Sequence, residues 1–169
     1  MRTGIAGTVL FLPALAVIAL DQATKFAVIS TLRVYDSIPV IPGFFNLVHV
    51  RNRGIAFGLL SQLGAAWGTV LMSATTAAAV ILLVLWLSRL RAGDDRTAFA
   101  LSLIIGGAVG NLIDRVRLGE VVDFLDFYVG SFHWPAFNVA DSAVTLGTFL
   151  VILNLLFQHP REEKKQQES

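Results

Sequence analysis

Asp141 is the residue in this sequence whose surroundings most need explaining. It sits just inside the last long apolar stretch, with no basic residue near it in sequence, so it must keep its proton or take a partner from another segment. A second carboxylate, Asp123, lies in the loop that precedes it. Two carboxylates brought close together cannot both ionise easily; they share a proton and present an acid and a base at once. Such a pair suits amide hydrolysis, one Asp drawing a proton from water while the other protonates the scissile carbonyl, with no metal and no covalent adduct. The apparent pKa values belong to the pair, and spacing alone does not say which Asp carries the proton or that the two meet.

Other chemistries find little support. The chain has no cysteine, which removes disulfides, thiolate metal sites, a cysteine nucleophile and a lipid attachment point. It has no H-E-x-x-H pattern, no Gly-rich phosphate loop and no Gly-x-Ser-x-Gly elbow. His49, His133 and His159 are isolated, and His133 beside Trp134 reads as an interface residue rather than a ligand, so a metal site is not expected. Ser142 lacks a Lys or His at a useful spacing. Asp21 and Lys25 are four residues apart, which makes them a structural ion pair on one helix face. Arg115 is expected to pair with Asp114 or a loop carbonyl. Asn138, Asp141, Thr145 and Thr148 follow helical spacing and predict a polar stripe that faces protein, although Asn138 would equally serve as a helix N-cap.

The elements that must position these groups are membrane spans. Of 169 residues, 55% are hydrophobic and 15% charged, and the mean hydropathy of +0.69 is too apolar for a soluble domain of this size. Four stretches approach the roughly 20 residues that cross a bilayer: about 5–28, 66–88, 97–113 and 138–157. The first is read as a retained anchor rather than a cleaved signal, because it runs on into Asp21–Lys25 without a small-residue cleavage site. Gly106 and Gly110 form a small-xxx-small pattern that lets span three approach a neighbour closely. An even number of spans puts both termini on one side and the segments at about 29–65 and 114–137 on the other. Seven Lys and Arg on the terminal side against five opposite favour cytoplasmic termini. The polar residues Asn52, Asn111, Asp114, Arg115, Asp123, Asn138 and Asp141, with Asp21 and Lys25, then converge on the outer face. Residues 34–60 mix β-branched and aromatic residues with Pro and Gly, which predicts short strands around turns. Phe44 and Phe45, beside those turns, suit either the headgroup level or buried packing. The 114–137 loop could pack onto the bilayer surface, and the tail 158–169 is expected to be disordered. No repeat or linker divides the chain, so 1–169 is expected to be one integral membrane domain. A net charge of +1 without a basic stripe argues against nucleic-acid binding.

Five blocks occur in order along nearly the whole chain: Asp21-Gln22-Ala23-Thr24-Lys25; Asn52-Arg53-Gly54-Ile55-Ala56-Phe57; Gly106 to Arg115; Val121-Val122-Asp123-Phe124; and Phe137-Asn138-Val139-Ala140-Asp141. In this the sequence resembles the lipoprotein signal peptidases, or signal peptidase II family. The resemblance implies an all-α integral membrane aspartic endopeptidase of the bacterial inner membrane, with four transmembrane helices and a small extracytoplasmic β-cradle. Its substrates would be diacylglyceryl-modified prolipoproteins, cut just before the lipidated cysteine near the extracytoplasmic face, with membrane lipid as the other partner and no metal or cofactor. Carried over by residue, Asp123 and Asp141 match the catalytic pair; Asn52, Gly54, Asn111, Arg115 and Asn138 match residues that orient the pair or hold substrate; Asp21 and Lys25 match a structural pair. Arg53 departs from the small polar residue more usual there.

Two rivals make different predictions. A proton-coupled transporter needs ionisable groups at several depths, and span two offers only Ser73, Thr75 and Thr76. A non-catalytic assembly factor would tolerate Asp123→Asn or Asp141→Asn.

Overall fold

The computed structural model describes residues 4–54, 65–91 and 93–157. The elements run α1 (Gly4–Thr31), β1 (Ser37–Ile41), β2 (Phe45–Asn52), α2 (Ala65–Arg89), α3 (Asp95–Leu118), β3 (Val121–Val129), β4 (Phe132–His133) and α4 (Val139–Phe157). All four helices are long and apolar enough to cross a membrane, as the spans predicted from sequence require. Their outward faces carry large apolar side chains, among them Phe26, Leu82, Trp86, Phe149 and Leu155. Hydrocarbon is the solvent that such surfaces suit.

α3 is the centre of the bundle and packs against α1, α2 and α4. Small residues allow this. A Cβ at Gly106 would meet the Ala14 carbonyl oxygen at 2.8 Å, and one at Gly147 would meet the Ala100 carbonyl oxygen at 2.6 Å. A Cβ at Gly107 would meet Val144 Cγ2 at 2.8 Å and press into the Ala140 carbonyl. The close approach expected of Gly106 and Gly110 is present, and Gly107 and Gly147 extend it to α4. Gly107→Ala should therefore part α3 from α4, at about 1–3 kcal/mol and a fall of roughly 5 °C in Tm. Thermal unfolding in detergent checks this; an unchanged Tm would mean that the contact relaxes freely.

α3 continues past the expected end at residue 113 to Leu118, where Gly119 adopts φ +75° and donates its N–H to the Arg115 carbonyl at 3.0 Å. Asp114 and Arg115 are thus helical residues. Beyond them the chain forms an antiparallel four-stranded sheet in the order β1-β2-β3-β4. Strands at 37–52 agree with the expectation for 34–60, of which 55–60 lies outside the described residues, as does the tail from Gln158. The surprise is β3. The 114–137 segment, long enough to hold structure but without a strand predicted in it, pairs with β2 in a register that sets Val50 opposite Asp123 and Asn52 opposite Val121. Val122 and Phe124 are buried against Val28 and Leu32, so the sheet is seated on the end of α1.

The aromatic residues pack together: Phe127 meets Phe44 edge-on at 5.3 Å and stacks with Phe45 at 4.8 Å. His133, isolated in sequence, has partners in the fold. Its Nδ1 lies 2.9 Å from the Asp126 carboxylate and its ring stacks on Tyr128 at 4.8 Å. Burial pushes Asp126 up, but hydrogen bonds from His133 and Asn46 outweigh it and hold the carboxyl below its ordinary value.

Candidate active site

The site is assembled where the sheet meets the helix ends, and Asn138 is its pivot. Its side-chain oxygen accepts the Asp141 N–H at 2.9 Å, while the Asp141 carboxylate accepts the Asn138 N–H at 3.3 Å. This reciprocal cap starts α4 and locks Asp141 into its first turn. The same bond fixes the Asn138 amide, so that Nδ2 points away from α4 and donates to Asp123 Oδ1 at 2.7 Å. The N-cap weighed for Asn138 from sequence is present, and the same side chain reaches Asp123.

Asp123 projects from β3 and is almost fully buried. Its second oxygen accepts Asn52 Nδ2 at 2.9 Å, and Asn52 is itself oriented by the Gly54 N–H, which donates to its Oδ1 at 2.8 Å. Gly54 has φ +70°, which bends the backbone back over Asn52 and favours a residue without Cβ. Burial pushes the Asp123 carboxyl up to about 6; the Asn52 amide opposes this, the neighbouring Asp141 charge adds to it, and the Asn138 amide opposes it again. Asn138, bonded to both, brings the two carboxylates into one site.

Asp141, half-buried, accepts Asn111 Nδ2 at 2.7 Å. Behind Asn111 lies a buried charge cluster. Lys25 Nζ donates to Asn111 Oδ1 at 2.9 Å and forms ion pairs with Asp21 at 2.9 Å and Asp114 at 2.8 Å, using its three protons. The expected Asp21–Lys25 pair is present but is part of a triad, and this corrects the partner expected for Arg115: Asp114 belongs to Lys25. Two carboxylates against one ammonium are balanced by neutral donors. Ala140 N–H, in the first turn of α4, donates to Asp21 at 3.0 Å; Val122 N–H donates to Asp114 at 3.2 Å; Gln22 Nε2 reaches Asp114 at 3.0 Å. One cluster thus joins α1, α3, β3 and α4.

Arg115 lies against the Gly54 turn, its Nη2 3.5 Å from where a Gly54 Cβ would stand, and its buried Nε has no hydrogen-bond partner among the described residues. The polar stripe expected along α4 does not face protein throughout. Thr145 and Thr148 are exposed, and Ala140, Ala143, Gly147 and Val151 are the buried positions. Small residues face α3 because close packing sets that face, leaving the threonines outward below Asp141. His49, which looks isolated in sequence, is buried: Nδ1 lies 2.9 Å from the Leu32 carbonyl oxygen, and Nε2 accepts Arg51 Nε at 3.2 Å. Among the described residues no group of three or more His, Cys, Asp and Glu could hold a metal ion.

The arrangement places one carboxyl biased toward its protonated form beside a second that is held by donors, at the boundary between spans and sheet. That is the geometry of acid–base attack by water on a carbonyl. The model of the family described as signal peptidase (SPase) II matches residues 13–157. A lipoprotein signal peptidase of Desulforapulum autotrophicum is 51% identical, over 83% of this chain and 87% of that protein. Another, of Geobacter metallireducens, is 47% identical over 87% and 90%. A solved structure, described as a bacterial membrane enzyme obtained by the in meso method at 1.9 Å resolution, aligns with a TM-score of 0.80 and 37% identity, over 90% of this chain and 95% of that one.

Proposed function

The chain belongs to the signal peptidase II family, and from that premise we propose that it is an aspartic endopeptidase which removes signal peptides from diacylglyceryl-modified prolipoproteins, with Asp123 and Asp141 as its catalytic pair. The observation that carries the assignment of the pair is Asn138, which holds Asp123 through its amide nitrogen and Asp141 through its amide oxygen and N–H.

Of the pair, Asp123 is the carboxyl that burial pushes toward its protonated form, and it serves as the acid. Asp141, which accepts the Asn111 amide, is the base. Asp141 takes a proton from water as its oxygen attacks the scissile carbonyl carbon, and Asp123 gives its proton to the carbonyl oxygen. Collapse of the tetrahedral intermediate returns a hydroxyl proton to Asp123. The Asp141 proton leaves on the departing amine of the lipidated cysteine, and the enzyme is restored. Asn52, Gly54, Asn111 and Asn138 orient the pair, Arg115 faces the peptide beside Gly54, and Asp21 with Lys25 is structural. Sheet and dyad lie on the extracytoplasmic side of a multi-pass inner-membrane protein with cytoplasmic termini, as the excess of Lys and Arg on the terminal side supports. There the dyad meets both water and a substrate whose acyl chains stay in lipid.

The test is cleavage of a diacylglyceryl-modified prolipoprotein by the purified protein in detergent, with the product's new N-terminus read by mass spectrometry and the rate followed against pH. Cleavage just before the lipidated cysteine is expected, with a bell-shaped profile. On the acid side the base is protonated; on the alkaline side Asp123 loses its proton and the pair has no acid. The alkaline limb of kcat/KM should lie near the Asp123 value of about 6. That of kcat should lie higher, because bound substrate deepens the burial that raises it. A flat profile would contradict proton sharing.

A further inference from the structure

A cavity of about 920 Å³ opens on the sheet side of the dyad. Its floor includes Asp123 and Asn52, and its rim is made by Tyr35, Arg51, Arg53 and Glu120; Asp141 is not among its lining residues. None of the lining residues belongs to a candidate membrane span. Asp141, by contrast, opens α4, a candidate span, so a peptide crossing both carboxylates leaves its apolar signal segment with the spans. The cavity then receives the residues on the far side of the scissile bond.

The rim carries charge in an uneven way. Arg53, exposed at the end of β2, forms an ion pair with Glu120 at 2.5 Å across the mouth. Tyr35, which lines the cavity with Arg53, holds φ +73°, the one positive φ outside glycine among the described residues, in the turn that precedes β1. Such backbone strain is retained where the surroundings enforce it. Arg51 differs from Arg53. Its Nε is held by His49 Nε2, and His49 uses Nδ1 toward the Leu32 carbonyl, a pattern that requires a proton on Nδ1 and a neutral ring. A neutral imidazole positions the guanidinium without cancelling its charge, and Arg51 has no carboxylate partner among the described residues. Two Arg against one Glu leave the rim cationic.

Building on the peptidase assignment, we propose that this cavity is a subsite for the first residues after the lipidated cysteine, and that Arg51 and Arg53 make it favour acidic over basic side chains there. An acidic side chain draws Arg53 from Glu120 or meets Arg51 directly; a basic one meets like charge at both.

The test uses diacylglyceryl-cysteine peptides identical except for Asp, Ser or Lys at the second and third positions after the cysteine. The reading is the ratio of kcat/KM for the Asp peptide to that for the Lys peptide within each enzyme, so a general loss of fold or activity cancels. Wild type should favour Asp by roughly fivefold. The ratio should fall toward one in Arg51→Gln and Arg53→Gln, return in Arg53→Lys, and shrink as salt screens the rim. A ratio near one in wild type, or one unchanged in both Gln variants, overturns the subsite while cleavage of the Ser peptide leaves the peptidase assignment standing. Failure to cleave any of the three overturns both.

Discussion

Asp123→Asn and Asp141→Asn should each abolish cleavage of a lipidated prolipoprotein, with kcat lowered by at least about 10³-fold, while the protein stays folded. The two losses should not add, because the carboxyls share one proton and act as a unit; the double variant should be about as inactive as either single one. Folding is expected to survive for different reasons at the two positions. At 141 the Asn111 amide and the Asn138 N–H are accepted by different carboxylate oxygens, so an Asn gives up one of those bonds, but the Asn138 side-chain oxygen still accepts the N–H of residue 141 and the cap of α4 persists. At 123 two amide donors, Asn52 and Asn138, meet a side chain with one acceptor, which costs part of a hydrogen bond; the raised Asp123 carboxyl was itself unfavourable to ionise in place, which offsets that cost. Thermal unfolding of all three variants in detergent, beside the cleavage assay, separates chemistry from folding. A folded single variant that retains near-normal cleavage would remove Asp123 or Asp141 from the catalytic pair and return the assembly-factor account.

The bundle is legible in the sequence because each helix carries its own signal. Span two, read as 66–88, is α2 at Ala65–Arg89, since a long run without charge has no other economical conformation in a bilayer. The end of span three is not legible in this way. Asp114, Arg115 and Arg117 look like a helix leaving the membrane, but a lysine 89 residues earlier in sequence neutralises Asp114 and α3 continues to Leu118. β3 is hidden for a related reason. Val121–Val129 has no simple alternation, because the first four residues are all buried, two against α1 and one as Asp123 in the site. Its strand character comes from pairing with β2, which no local pattern reveals. The five motif blocks identify the candidate residues; how Asn138 serves Asp123 and Asp141 at once depends on the β2–β3 register and the α4 cap together.

Lys25→Met is expected to be the most damaging single change outside the dyad. Lys25 is 2% exposed and its ammonium is shared by Asp21, Asp114 and Asn111, from two different helices. Removing it leaves two buried carboxylates facing each other without a cation, a loss of about 3–5 kcal/mol. In a chain of this length that corresponds to a Tm lower by on the order of 10 °C. Activity should suffer separately. Without Nζ, the Asn111 Oδ1 keeps only the longer bond from Asn138 Nδ2 at 3.3 Å, so its amide is loosened and the donor that positions Asp141 is weakened. Measured well below the new Tm on folded protein, kcat should fall roughly 100-fold, the scale of a misplaced catalytic group. The combined variant Lys25→Met with Asp114→Asn removes one of the stranded charges and should regain part of the Tm. It should not regain kcat, because Asn111 still lacks its shorter bond from Nζ. Recovery of both together would mean that Lys25 acts on the reaction only through stability, and an unchanged Tm in the single variant would mean that the carboxylates do not depend on it. The separation of the two readouts comes from the wiring: Asp21 and Asp114 tie Lys25 to the fold, and Asn111 ties it to the Asp141 carboxylate.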